Sequence, residues 1–287
     1  MCNKGGAMPL RRLRLLSGQF IPEIGYGTYL AKDDDCYEGV LHALKVGYRH
    51  IDTAAFYDNE EEVGQAIKDS GIDRSELFIT TKVWNNSRGY EKTIKSVENS
   101  LKKLDLEYLD LVLIHWPANE KQFPGKSDEI NLDTRNALIY LYKEGKVKSI
   151  GVSNFLKHHV QNLIKNSEMI PMVDQLEISA GHFDEDLINF LSRKGIIVEG
   201  WSPLGRGDLL NNEEVLKLAK KYNKTSAQIL IRFLIDCDVV PLVKSINKNR
   251  IEENLDYNDF ELSEEDVQLL KDLKINKTYK NPDEIDF

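Results

Sequence analysis

Short runs of β-branched, aliphatic and aromatic residues alternate along the chain with longer stretches in which apolar residues recur every third or fourth position. The runs are Ile24–Tyr29, Tyr48–Thr53, Leu77–Val83, Leu109–His115, Val147–Val152, Met172–Leu176, Ile196–Trp201 and Val239–Val243. Between them, Ile94, Val97, Leu101 and Leu104 share one helical face, as do Val215, Leu218, Ala219 and Tyr222. Successive βα units produce this alternation, because a parallel strand needs a crossover helix to return the chain to the same end of the sheet. Eight strands close a (β/α)8 TIM barrel, so the expected fold class is α/β with that architecture. Leu13–Leu16 and Phe20–Ile21 flank Ser17-Gly18 and predict a small N-terminal hairpin that caps one barrel end. Asp33, Asp34 and Asp35 are placed to cap the first helix, and Ser263 before Glu264, Glu265 and Asp266 opens the last. Two helical patterns, Glu213–Tyr222 and Ser226–Cys237, precede the eighth strand, and Glu264–Leu273 follows it, so extra helices gather near the C-terminus.

No linker rich in Pro, Gly or Ser divides the chain and no repeat interrupts it, which predicts a flexible leader over 1–8 and one barrel domain over 9–287. A Rossmann domain is the competing architecture. No GxGxxG follows any strand run, and Gly25-Tyr26-Gly27 and Gly205-Arg206-Gly207 are isolated GxG pairs. Pro117–Ile130 is the longest stretch without a pattern, the kind of loop that is functional or mobile. Lys and Arg number 38 against 47 Asp and Glu, a net charge of −9, which argues against bulk-charge binding to nucleic acid or an anionic membrane. Three cysteines without CxxC spacing give neither a disulfide framework nor a zinc motif and suit a reducing cytosol. No apolar run reaches membrane-spanning length, and the N-terminus lacks the apolar core of a signal peptide. The expectation is a cytoplasmic monomer without a metal site.

Catalytic groups of such barrels sit where strands end and βα loops begin. Asp52 ends the second run, Lys82 lies near the end of the third, His115 ends the fourth, and Ser153 and Asn154 follow the fifth. Gln175 lies on the sixth, Trp201-Ser202 end the seventh, Lys244-Ser245 follow the eighth, and Tyr57 lies in the loop after Asp52. A phenol with a pKa of about 10 exchanges protons poorly near neutrality unless an ammonium favours its phenolate, and a carboxylate beside that ammonium keeps it charged and fixed. An imidazole can orient a carbonyl oxygen. The set suits reversible protonation of a carbonyl oxygen as hydride arrives from a bound cofactor, since no side chain can supply hydride.

At these residues the chain resembles the aldo-keto reductase superfamily, over nearly its whole length from about Leu13 to Phe260. The stretches that carry the resemblance are Gly47-Tyr-Arg-His-Ile-Asp52-Thr-Ala-Ala-Phe-Tyr57 with Asn59-Glu60 and Glu62-Val63-Gly64, Thr81-Lys82-Val83-Trp84, Leu113-Ile114-His115-Trp116-Pro117, and Ile150-Gly-Val-Ser-Asn154-Phe155. Gln175-Leu-Glu177, Trp201-Ser-Pro-Leu-Gly205 and Lys244-Ser245 with Arg250, Glu253 and Asn254 complete the series. The short tail and the His-Trp pair are similar to the microbial and protozoan branch, which holds diketogluconate reductases and prostaglandin F synthases. The resemblance implies NADPH-dependent reduction of aldehydes and some ketones. Tyr57 would be the general acid, Lys82 would lower its pKa, Asp52 would pair with Lys82, and His115 would orient the carbonyl. Ser153, Asn154 and Gln175 would hold the nicotinamide carboxamide, Trp201 would stack on its ring, and Ser202 and Leu204 would line the pyrophosphate. Lys244, Ser245 and Arg250 would grip the 2′-phosphate, with Glu253 and Asn254 at the adenine. Tyr29, Trp84 and Trp116 would wall the substrate pocket.

Plainer readings stand beside these. A lone Asp or Lys at a strand end is more often a capping residue, a histidine after an apolar strand is commonly a core residue, and tryptophans fill cores. The four residues at successive barrel positions outweigh that reading as a set. His42, His50, His158, His159 and His182 lack such company and read as structural or surface residues. Lys244, Lys248 and Arg250 could be a solvated helix start, but their match to the Lys-Ser and Arg-x-x-Glu-Asn pattern favours phosphate binding. The chain departs from the family at Ile178-Ser179-Ala180, where His-Pro-Tyr is usual, and at Asp174, where Asn is common. The few residues after Lys277 predict a more open pocket. Two rivals remain: a cofactor-binding sensor or channel-associated subunit with little turnover, and a barrel glycosidase built on Asp52 and Glu177, which leaves Lys82 and Tyr57 unexplained.

Overall fold

The computed structural model describes residues 10–287, and the expected leader over 1–8 lies outside the described residues. The eight expected strands form as β3 (Gly25–Gly27), β4 (His50–Asp52), β5 (Phe78–Val83), β6 (Leu111–Ile114), β7 (Ile150–Ser153), β8 (Val173–Glu177), β9 (Ile197–Trp201) and β10 (Val239–Val243). They pair in parallel and in sequence order, and the barrel closes where β10 meets β3 with Leu242 opposite Gly25 and Val243 opposite Tyr26. The closure depends on the glycine: a Cβ at Gly25 would lie 2.6 Å from Leu242 and 2.7 Å from the His50 ring. Most strands start later than their apolar runs. Leu109, ahead of β6, makes only an isolated bridge to Val147 before the ladder begins.

The helices are α1 (Asp33–Val46), α2 (Glu60–Ser70), α3 (Tyr90–Leu104), α4 (Ser127–Lys143), α5 (Lys157–Asn166), α6 (Glu185–Arg193), α7 (Glu213–Tyr222), α8 (Ser226–Asp236), α9 (Lys248–Glu253) and α10 (Glu264–Lys271). Val97, Leu101 and Leu104 of α3 and Val215, Leu218 and Ala219 of α7 are buried, as their spacing predicts. Ser263 caps α10 by accepting from the Asp266 N–H. The aspartates of α1 do not cap it. Lys32 holds the cap position without a side-chain bond, and Asp33, Asp34 and Asp35 lie in the first turn, where they favour the helix through its dipole.

β1 (Arg12–Arg14) and β2 (Phe20–Pro22) form the hairpin, turning through Gly18 at φ 88°. Its Leu15 and Ile21 cluster with Phe78, Leu111 and Val173, the first residues of their strands, and with Leu113. Ser17 and Gln19 bond to Ser149, just before β7. The hairpin therefore plugs the N-terminal end of the barrel and leaves the opposite end open for chemistry. Pro117–Ile130 is more ordered than its sequence predicts. Its last four residues belong to α4, and the Asn131 amide bonds both the N–H and the C=O of Ala118.

Candidate active site

β4, β5 and β6 deliver Asp52, Lys82 and His115 to the open end, and a short 3-10 turn at Ala55–Tyr57 brings the phenol over them. Lys82 Nζ lies 2.5 Å from Asp52 Oδ1, 3.0 Å from the Thr53 carbonyl and 3.1 Å from Tyr57 Oη. Burial opposes the ammonium's charge, but Asp52 and Tyr57 outweigh it and hold Lys82 protonated above its ordinary range. For Tyr57 the balance differs from the expectation. Burial raises its pKa, Lys82 lowers it, Asp52 raises it, and the net direction is upward. The phenol thus holds its proton, the form needed in a general acid. His115 stands beside it with ring centroids 5.7 Å apart, and burial first, then Lys82, pushes its pKa well below the usual imidazole range. A neutral ring results, and its Nδ1 has no hydrogen-bond partner among the described residues.

Below this set lies a polar layer that sequence reasoning missed. Gln175 Nε2 donates to Asp52 Oδ2 at 2.8 Å and to Glu199 Oε2 at 2.9 Å, while His50 Nε2 lies 3.4 Å from Glu199 Oε1 and 3.3 Å from Thr80. His50 is therefore not an isolated structural residue. The signal was there: an acid interrupts the apolar run Ile196–Trp201 two residues before Trp201, on the same side of the strand.

Ser153, Asn154, Gln175 and Trp201 come together beside the tetrad and are already interlinked. Ser153 Oγ donates to the Gln175 carbonyl, Asn154 Nδ2 donates to the His115 carbonyl, and Trp201 Nε1 donates to Asn154 Oδ1 at 2.9 Å. Leu30, Asp58, Asn154, Ser202 and Arg206, all in βα loops at the mouth, hold φ between 53° and 62°. Left-handed backbone at non-glycine residues costs on the order of 1–3 kcal/mol each and concentrates at sites whose surroundings fix it. Ser202 and the half-buried Leu204 precede the irregular turn at Gly205–Asn211.

At the far edge of the mouth, Lys244, Ser245 and Arg250 are accessible, and neither cation has a salt bridge among the described residues. Lys248 is different: its ammonium lies 3.0 Å from Glu38. The expected backbone contribution of the helix start is also reduced, since Asn247 caps the six-residue α9 by accepting the Arg250 N–H. Glu253 is half-buried, its carbonyl taken by Gln228, and Asn254 is buried. The donor set fits an NADP-type cofactor. Two free cations suit a phosphate at one end, and at the other Gln175 has both N–H groups engaged and its amide oxygen left to accept.

Aromatic rings wall the substrate side. Tyr29 lies 5.1 Å from Tyr57, and Trp84 lies edge-on to His115 at 4.9 Å. The expectation of an open pocket is overturned by the tail. Phe287 stacks parallel to Trp84 at 6.0 Å and meets Trp116 edge-on at 5.5 Å, because the side chains of Asn119 and Gln122 hold the carbonyls of Pro282, Ile285 and Phe287. His158 and His159 meet Asp283 at 3.0 Å each. His159 Nδ1 accepts the Leu156 N–H, so its Nε2 carries the proton and donates, making this trio a clasp on the tail. The departure at Ile178-Ser179-Ala180 forms a tight turn between Ser179 and His182, with His182 stacked on Tyr279 at 3.5 Å. Asp52 and Glu177 do not act as a pair: Asp52 is engaged by Lys82, and Glu177 faces Lys277 at 3.9 Å.

Comparison with known proteins agrees with this geometry. The model of the aldo/keto reductase family matches residues 23–275. Glyoxal reductase of Bacillus subtilis is 45% identical over 277 residues, covering 96% of this chain and 97% of that protein. The 9,11-endoperoxide prostaglandin H2 reductase of Trypanosoma cruzi is 43% identical, with 90% and 89% covered. The crystal structure of a Bombyx mori aldo-keto reductase in complex with NADP superposes with a TM-score of 0.85 at 36% identity, covering 92% of this chain and 93% of that one. A match of this length, at these identities and with the fold superposed throughout, means that the chain belongs to the aldo/keto reductase family.

Proposed function

We propose that this chain reduces small reactive aldehydes and ketones with NADPH, short 2-oxoaldehydes of the glyoxal type foremost. One observation carries the reading: a buried ammonium bridging Asp52 and Tyr57, next to an imidazole kept neutral. NADPH, when bound, supplies the hydride. Tyr57 gives its proton to the substrate oxygen as negative charge develops there, and Lys82 stabilises the phenolate left behind. Asp52 keeps Lys82 charged and in place. Neutral His115 donates a hydrogen bond to the carbonyl oxygen without competing for its proton. Ser153, Asn154 and Gln175 hold the carboxamide end, Trp201 the ring, Ser202 and Leu204 the pyrophosphate, and Lys244, Ser245 and Arg250 the 2′-phosphate, with Glu253 and Asn254 toward the adenine. Tyr29, Trp84, Trp116 and Phe287 narrow the substrate side, which favours short carbonyls. The identity to a glyoxal reductase supports the same class.

The reading extends to one reductase domain over 9–287, acting as a monomer in the cytosol. A single chain supplies every site group, and no helix among the described residues is long and apolar enough to cross a membrane. Burial first pushes the thiols of Cys36 and Cys237 up to about 12, so both stay unreactive in a reducing compartment. Tyr57→Phe tests the mechanism. Methylglyoxal reduction, followed by NADPH absorbance, should fall by about 10²–10⁴-fold while NADPH still binds, the usual share of a general acid. Near-normal turnover in that variant would remove Tyr57 from the chemistry.

A further inference from the structure

Glu199 is fully buried on β9, and no catalytic step above uses it. Its carboxyl shares the two N–H groups of Gln175 with Asp52, at 2.9 and 2.8 Å. Gln175 itself is 2% exposed. The Asp52 carboxylate, which can only accept, decides which way the amide faces, since an amide oxygen turned toward it would be repelled. One cation, Lys82, serves both acids. Asp52 already contacts it at 2.5 Å, and a second unbalanced charge in a dry pocket is costly, so the proton resides on Glu199. Burial and the Asp52 charge accordingly push the Glu199 carboxyl up to about 8. His50 Nε2 lies 3.4 Å from Oε1 without a hydrogen bond to it, and burial first, then Lys82, keeps that imidazole neutral, so it adds no second cation to the pair.

We propose that Glu199 is a positioning residue for the nicotinamide end of the cofactor. As a neutral acid it accepts one Gln175 N–H while Asp52 accepts the other, which locks both into the barrel interior, so that Gln175 meets a carboxamide through its oxygen alone. The nicotinamide amide must then donate to Gln175, which fixes one of its two orientations and with it the ring face presented to the substrate. This rests on the assignment of Gln175 to the carboxamide.

The test is equilibrium binding by tryptophan fluorescence with two probes: NADPH, and 2′,5′-ADP, which carries the phosphate-bearing adenosine half and has no nicotinamide. In Glu199→Leu one Gln175 N–H loses its acceptor, and NADPH should bind about tenfold more weakly, the scale of one buried hydrogen bond, while 2′,5′-ADP changes less than about twofold. Glu199→Gln, an uncharged mimic of the protonated acid, should restore NADPH binding. Glu199→Asp is one methylene too short to reach Gln175 and should behave as Glu199→Leu does, so it serves where leucine compromises folding. NADPH binding unchanged in the leucine and aspartate variants, equal loss of both probes, or failure of glutamine to rescue would each overturn the proposal. An unaltered chain that binds 2′,5′-ADP but gains nothing from the nicotinamide half would overturn the carboxamide assignment, and the proposal with it.

Discussion

Asp174 and Gln175 are neighbours on β8 with opposite surroundings. Gln175 faces the barrel interior and has two acceptors, whereas Asp174 faces the other way, fully buried, with no well-aligned hydrogen bond to either oxygen. Burial pushes its pKa well above the usual carboxylate range, and the Phe155 backbone N–H offers only partial relief. A carboxyl whose folded pKa is raised binds its proton more tightly in the folded state. It therefore costs stability increasingly as pH climbs from the ordinary carboxylate range through the raised value. Asp174→Asn should stabilise the protein by about 1–3 kcal/mol at pH 8 and by much less at pH 5, the cost of burying an uncompensated polar group. Urea midpoints at the two pH values check this, and an equal gain at both would mean that ionisation is not the cause. At this scale the sequence made Asp52, Tyr57, Lys82 and His115 legible by position. Their protonation was not legible: the upward shift of Tyr57 results from burial outweighing Lys82, a sum that depends on distances.

Among the elements, the tail shows most clearly how little a local pattern reveals of an irregular segment. Residues 274–287 carry no helical or strand periodicity, yet they are tied across the mouth. Asn119 donates to the carbonyls of Pro282 and Ile285, and Lys121 to that of Glu284. These partners lie more than 160 residues away, so no window of sequence contains both ends. Asn119→Ala removes both hydrogen bonds to the tail, about 2 kcal/mol at typical values, together with the one its Oδ1 accepts from the Gln122 N–H, and should loosen the tail. Trypsin should then cut at Lys277 or Lys280 faster than in the unaltered chain, and kcat/KM should rise for a bulky aromatic aldehyde relative to methylglyoxal. Unaltered cleavage with an unaltered ratio would mean that the tail is held elsewhere. The capping of α1 teaches the same lesson on a smaller scale: three aspartates mark the helix start, but the turn geometry places them inside it.

For the whole molecule, an acidic surface and a small cationic patch coexist. The net charge of −9 is spread over the chain, while Lys244 and Arg250, without a salt bridge among the described residues, stand at the edge of the mouth. Lys244→Ala combined with Arg250→Ala should weaken NADPH binding by about 10²-fold and leave NADH binding nearly unchanged, since charge-assisted bonds to a phosphate are roughly twice as strong as neutral ones. Equal loss for both cofactors would place the two cations elsewhere than at the 2′-phosphate. The sequence by itself determined the barrel and the end of it that bears the chemistry. Strand period, strand number and the polar residue at each strand end are local properties, and a closed parallel barrel aligns all strand ends at one mouth. Tertiary structure alone decided the Glu199 layer beneath the tetrad, the charge states within it and the tail that narrows the pocket, because each depends on through-space distance and exclusion of water between groups far apart in the chain.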